Sequence, residues 1–258
     1  MGKVDDYCRK LKQTEDWDAY LLAESGLPGP RGNIELARAV AEEGDEATFR
    51  RYLAYDAQQA PANDPGEFLA FCGVLGLGKL LETAHAQGQA ARCRALLDEL
   101  RRHAADPRWR LREAVAMALQ RLGRADMGAL LAEAEDWAGG GPLAQRAAMA
   151  AVCEPGLLAE PGYVERVLDL LDRITASVAA AEAEVRRDAK FRALRKGLGY
   201  GWSVAVAAGP EGGKARMARW LESDDADVRW IMRQNLKKAR LRRMDADWVA
   251  GWQERVQA

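Results

Sequence analysis

The sequence predicts an all-α fold, and three observations predict it. Strand signals are nearly absent: no segment alternates apolar and polar residues for long, and β-branched residues are few beside Ala, Leu, Arg and Glu, which favour helices. Apolar residues recur instead at steps of three and four, the spacing that lines one face of a helix. Turn signals then punctuate the chain regularly, at 27–33, 42–46, 60–67, 105–108, 122–126, 138–142, 154–156, 159–162, 209–213 and 222–227. Helices of about 10–18 residues fit between them.

Taken in order, residues 1–30 are expected to form a helical cap. Asp45, Asp106 and Ser223 each stand where a helix needs an N-cap oxygen for its free N–H groups. CGVLGLG (72–78) reads as close helix packing, because glycine lets backbones approach. Leu111, Ala114, Val115, Ala118, Leu119 and Leu122 form one apolar stripe, and Val164, Val167, Leu168, Leu171 and Val178 form another. In KGLGYGWSVAVAAG (196–209) the alternating Gly197, Gly199 and Gly201 imply close packing or a bent helix; the alternative is a thin wall beside Tyr200 and Trp202 that admits a ligand. AAGPEGGKAR (207–216) has Ala208 and Ala215 where a phosphate-binding loop needs Gly and a hydroxyl, so it reads as an inter-helix turn. Trp248, Trp252 and Val256 mark a closing helix over 244–258.

Composition excludes several classes. The 258 residues are 48 % apolar and 30 % charged, with 38 basic side chains against 39 acidic ones, which argues against disorder and against a uniformly basic chain. No apolar run approaches the roughly 18 residues of a membrane span, and the first residues lack the apolar stretch of a signal peptide. Cys8, Cys72, Cys93 and Cys153 are scattered with no CxxC pair, which fits a reducing, cytoplasmic setting without membrane association. Cys72 and Cys153, on apolar faces, read as small buried hydrophobes. With His85 and His103 the only histidines, no metal site is expected, and no cofactor or catalytic motif such as HExxH or GxSxG is present. Nothing in the sequence argues for an enzyme.

Internal similarity narrows the fold. ADPRWRLREAVAMALQRLG (105–123) and SDDADVRWIMRQNLKKARL (223–241) both run from an acidic turn through an apolar–Arg pair, Leu111-Arg112 and Val228-Arg229, into an amphipathic helix; 143–154 reads as a degenerate third copy. In this the sequence resembles the HEAT-repeat family, over about 33–243 when weaker helix pairs are included. The resemblance implies a single domain, 1–258, wound as a right-handed superhelix of about five to six helix pairs. The helix after SDDADVRW, with its basic tail NLKKARLRR, is also similar to the end of the DNA-alkylation-repair HEAT-like proteins. The catalytic pattern of those enzymes does not transfer, since the only Trp-Asp pair, Trp17-Asp18, lies in the amino-terminal cap.

Charge supplies the functional expectation. Residues 186–243 carry 16 basic and 6 acidic side chains, net +10, while residues 1–99 are net −6. On a continuous helix Arg229, Arg233, Lys237 and Arg240 fall within an arc of about 80°, with Trp230 at its edge and Lys238, Arg242 and Arg243 following. Asn235 falls in the opposite, apolar arc and must find hydrogen-bond partners there, as it would by tying one repeat's backbone to the next. A second cluster spans 101–124 and includes Arg108 and Arg110; on one surface of an array the two clusters would share a groove. Arginine suits phosphate through its two-pronged hydrogen bonding. Trp109, Tyr200, Trp202 and Trp230 either stack on bases or fill the core. HEAT arrays imply another role for Arg112 and Arg229, pairing with acidic turns of neighbouring units. The function expected is a non-catalytic scaffold whose basic carboxyl-terminal half holds an anionic partner, protein or nucleic acid. The alternative is a DNA-alkylation-repair-type glycosylase acting on damaged duplex DNA.

Overall fold

The computed structural model describes residues 2–256, and among them the regular structure is entirely helical: sixteen α-helices and one 3-10 turn. The all-α expectation holds. The ends of both expected caps, residue 1 and residues 257–258, lie outside the described residues. The helices gather into two compact units, Met1–Ala125 and Asp126–Ala258.

The first unit holds α1 (Lys3–Lys12), α2 (Trp17–Glu24), α3 (Ile34–Glu43), α4 (Glu46–Leu53), α5 (Pro65–Ala86), α6 (Ala90–His103) and α7 (Trp109–Ala125). Its centre is α5, started by Asp64, which accepts from Gly66 N at 2.7 Å, with Pro65 in the first turn. Apolar on nearly every side, α5 is covered by α2, α3, α4, α6 and α7. The glycines of CGVLGLG explain how: a methyl group on Gly76 would sit 2.2 Å from the Phe49 ring, and one on Gly78 would sit 2.7 Å from Ala118 Cα. The expectation that no segment has span length is corrected here. Over an 18-residue window α5 averages a mean hydropathy of 1.2, enough by length and composition to cross a membrane, because a few charged ends interrupt the run without lowering the mean much; 72 % of that window is buried against the unit. The amino-terminal helices are built in: α1 packs on α3, and Tyr7 Oη accepts from Asn33 Nδ2 at 3.0 Å.

The second unit holds α8 (Met127–Trp137), α9 (Pro142–Val152), a 3-10 turn (Pro155–Leu157), α10 (Pro161–Ala179), α11 (Ala183–Arg187), α12 (Ala189–Ala208), α13 (Pro210–Leu221), α14 (Ala226–Leu236), α15 (Ala239–Met244) and α16 (Ala246–Arg255). Here α12 is central, against α9, α10, α13, α14 and α15. Methyl groups on Gly197 and Gly201 would fall 2.6 Å from Met149 of α9, so of the two readings of this segment close packing is the one observed. Asn235 behaves as its position demands: fully buried, it accepts from Ser203 N at 2.8 Å and donates to Leu198 O and Ile231 O at 2.8 Å, tying α14 to the backbone of α12. The closing helix α16 is capped by Asp245 and seats Val249 in the core.

Both units share one local order: a glycine-rich helix, a shorter helix, an acidic turn, then a helix whose arginine reaches backward. Arg112 donates to Asp106 O and Pro107 O, and Arg229 to Ser223 O and Asp224 O, each five and six residues upstream. Both arginines brace their own turns; pairing with acidic turns of neighbouring units had been expected, and Arg229 makes no ion pair among the described residues. Ser223 is not a cap. Asp225 caps α14 through Val228 N at 2.9 Å, and Ser223 Oγ accepts from Asp225 N ahead of it.

Candidate anion-binding surface

The basic segment forms a surface on the second unit, and α12 is its spine. Asp188 caps the helix through Lys190 N at 2.8 Å. From there Arg192, Lys196 and Tyr200 follow at steps of four, within an arc of about 80° that faces solvent. Gly197 and Gly201 draw α9 in on one side, and Gly199, 3.3 Å from Trp230 by its missing methyl, draws α14 in on the other. Tyr200 stands between them, 45 % exposed.

The chain beyond α14 departs from the continuous helix assumed above. Lys237 is its C-cap, and Lys238 turns into extended backbone (φ −78°, ψ 127°) before α15 begins. The arc of Arg229, Arg233, Lys237 and Arg240 is therefore broken after Leu236. The break brings a different group together: Lys238 Nζ lies 5.5 Å from the centre of the Tyr200 ring, and the Arg240 guanidinium 4.6 Å from it while donating to the Tyr200 hydroxyl. Burial pushes the Cys153 thiol at the end of α9 up to about 12, and the Arg240 charge acts against that, so its field reaches α9 as well. Among the described residues no carboxylate comes within ion-pair distance of Arg192, Lys196, Lys237, Lys238 or Arg240.

The remaining candidates have other partners. Arg233 donates to Val256 O at the end of α16. Trp230 lies under Arg195, 4.1 Å away, which also pairs with Asp227 at 2.8 Å. Trp202 is fully buried and donates to Thr175 Oγ1 at 3.0 Å, so it is core and no stacking platform. In the first unit Arg108, 4 % exposed, chelates Asp106 and donates to Tyr55 O, Asp56 O and Ala60 O at 2.9–3.2 Å. Arg110, 6 % exposed, holds Glu67 at 3.0 Å and Gly29 O. Both were expected to bind anions, and both instead clamp loops to α7, because each guanidinium is buried with oxygens of its own chain. Trp109 is exposed, beside Arg110. Arg192 and Lys196 were missed, although their four-residue spacing to Tyr200 was readable.

The fold and this surface define an all-helical protein in two compact units, one of which presents an unpaired basic face. No protein-family model and no curated protein matches the sequence. Among solved structures the chain has a likeness to the crystal structure of an engineered protein, a target of the Northeast Structural Genomics Consortium, at 13 % identity over 98 % of each chain with a TM-score of 0.35.

Proposed function

We propose that the protein is a non-catalytic, cytoplasmic HEAT-like scaffold that binds an anionic partner through the α12–α15 face of its second unit. The observation that carries this is Tyr200: an exposed ring beside Lys238 and Arg240, which with Arg192, Lys196 and Lys237 have no carboxylate partner among the described residues. A phosphate backbone with unpaired bases suits that arrangement best, since the ring stacks a base while the flanking cations meet phosphates. The recurring turn of Arg112 and Arg229 supports the HEAT-like reading. The glycosylase alternative draws no support from this face, where the bordering acid, Asp227, is held by Arg186 and Arg195.

The test is fluorescence anisotropy with a labelled single strand of about 20 bases at two salt concentrations, beside a duplex and polyglutamate. Expected is micromolar binding to the single strand that falls steeply with salt. Lys238→Glu with Arg240→Glu should weaken it at least about tenfold, and Tyr200→Ala should weaken the single strand more than the duplex, by about 1–3 kcal/mol. Tighter binding of polyglutamate would redirect the reading to an acidic protein segment. No binding of any of the three at about 50 mM salt refutes the proposal.

A further inference from the structure

The first unit contains a cavity of about 310 Å³ that the surface on the second unit does not use. Its wall is apolar and largely aromatic, made by Leu27, Ile34, Phe68, Phe71, Trp109 and Met117. Phe68 and Phe71 are nearly parallel with centres 6.4 Å apart, and the Trp109 indole beside them is 45 % exposed. Apolar surface of that kind gains about 25 cal/mol for each Å² that an occupant covers.

The wall has a polar element built into it. Arg110 packs 4.5 Å from the Trp109 ring, and its two terminal nitrogens are committed to Glu67 and to Gly29 O. Its Nε is buried and has no hydrogen-bond partner among the described residues. That nitrogen is sealed inside the packing and closed to an occupant, so Arg110 acts on the cavity through the guanidinium face that it stacks on Trp109. At the mouth stands Arg31, paired with Glu35 in an exposed i,i+4 contact worth little. Glu113 shares the rim and has interactions of its own. The loop on this side is fixed in advance: Gly29 N donates to Asn63 Oδ1 at 3.0 Å, and Gly26 adopts a left-handed φ of 71°. Such fixing lowers the entropic cost of binding.

We infer that this cavity binds a small aryl monocarboxylate. The ring lies among Trp109, Phe68 and Phe71, and the carboxylate takes hydrogen bonds from Arg31 at the mouth. A volume near the lower end of small-molecule pockets, which span about 300–1,000 Å³, admits one or two fused rings and excludes a dinucleotide.

Calorimetric titration of the full chain tests this with naphthoate, naphthylmethanol and naphthylmethylamine, which carry one ring system with anionic, neutral and cationic heads. Naphthoate is expected to bind at one site per chain, with the alcohol roughly tenfold weaker and the amine weaker still. Met117→Trp, which fills the cavity, should abolish naphthoate binding; if that variant does not fold, Ile34→Trp serves the same purpose from another part of the wall. Arg31→Ala should lower naphthoate to the affinity of the alcohol. Tyr200→Ala with Arg240→Glu, on the other unit, should leave naphthoate binding unchanged and so separates this site from the basic face. Equal affinity for the three heads, binding that survives a folded cavity-filling variant, or no heat at millimolar naphthoate each overturns the inference.

Discussion

Asn235 shows how much one side chain contributes when every polar atom on it is used. It is fully buried, and each of its three hydrogen bonds ends on backbone of α12 or α14. Asn235→Ala is expected to cost about 2–4 kcal/mol in urea unfolding, because Ser203 N–H and Leu198 C=O are left without it. Asn235→Asp should cost more than Asn235→Ala, since a carboxylate would face the two carbonyls that now accept from Nδ2. Its need for partners was legible from its place in an apolar arc. The roles of Arg108 and Arg110 were not: besides Asp106 and Glu67 they bind carbonyls 48 to 81 residues upstream, and a main-chain oxygen leaves no mark in a sequence. Arg108→Ala should destabilise by about 3 kcal/mol or more, as expected when a buried cation is removed from its anion.

At the scale of elements, the glycine clusters were legible and a helix end was not. Alternating glycines in α5 and α12 announced close approach, and the distances bear this out. Gly76→Ala is expected to cost about 2 kcal/mol or more, because the Phe49 ring has nowhere to retreat in a packed core. Gly162→Ala, in the exposed first turn of α10 where an added methyl meets nothing, should instead stabilise by up to about 1 kcal/mol; paired thermal melts of the two variants check the contrast. α14 ends at Leu236, and the two residues that follow, Lys237 and Lys238, carry no breaker signal. What ends the helix is tertiary: Leu241 has to reach the core, and it does so only if the chain turns first. The grouping of Tyr200, Lys238 and Arg240 depends on that turn, which is why a stripe drawn on a continuous helix missed it.

For the molecule as a whole, charge segregation was readable by counting, whereas the division into two units was not. Ala125 ends α7 and Met127 begins α8 with Asp126 as cap, so no linker marks the boundary. Charge also sets the response to acid. An Arg121 hydrogen bond, against the opposing effect of burial, holds the Glu42 carboxyl below its usual range. Burial pushes Asp225 up, but Arg186 and the Val228 N–H outweigh it and hold it down. Groups with depressed values stabilise the fold above their unfolded pKa, and that contribution is lost as pH falls through the folded one. Burial likewise depresses His103, so its share begins to go below about pH 6.5, and the carboxylate share follows below about pH 4. Melting temperature against pH should therefore decline in two stages, and His103→Gln should remove the first.

The Glu67–Arg110 pair has a consequence for how the chain is made. Glu67 is synthesised 43 residues before its cation, at the start of the 22-residue apolar helix α5. A fully buried carboxylate without its partner costs several kcal/mol (about 3–5), so α5 cannot take its final seat until α7 has been translated. During that interval its length and hydropathy are those that chaperones and membrane-insertion machinery respond to. A nascent chain halted before Arg110 is expected to be retained by chaperones or to precipitate on release. One carried through Ala125 is expected to close around α5 and escape both.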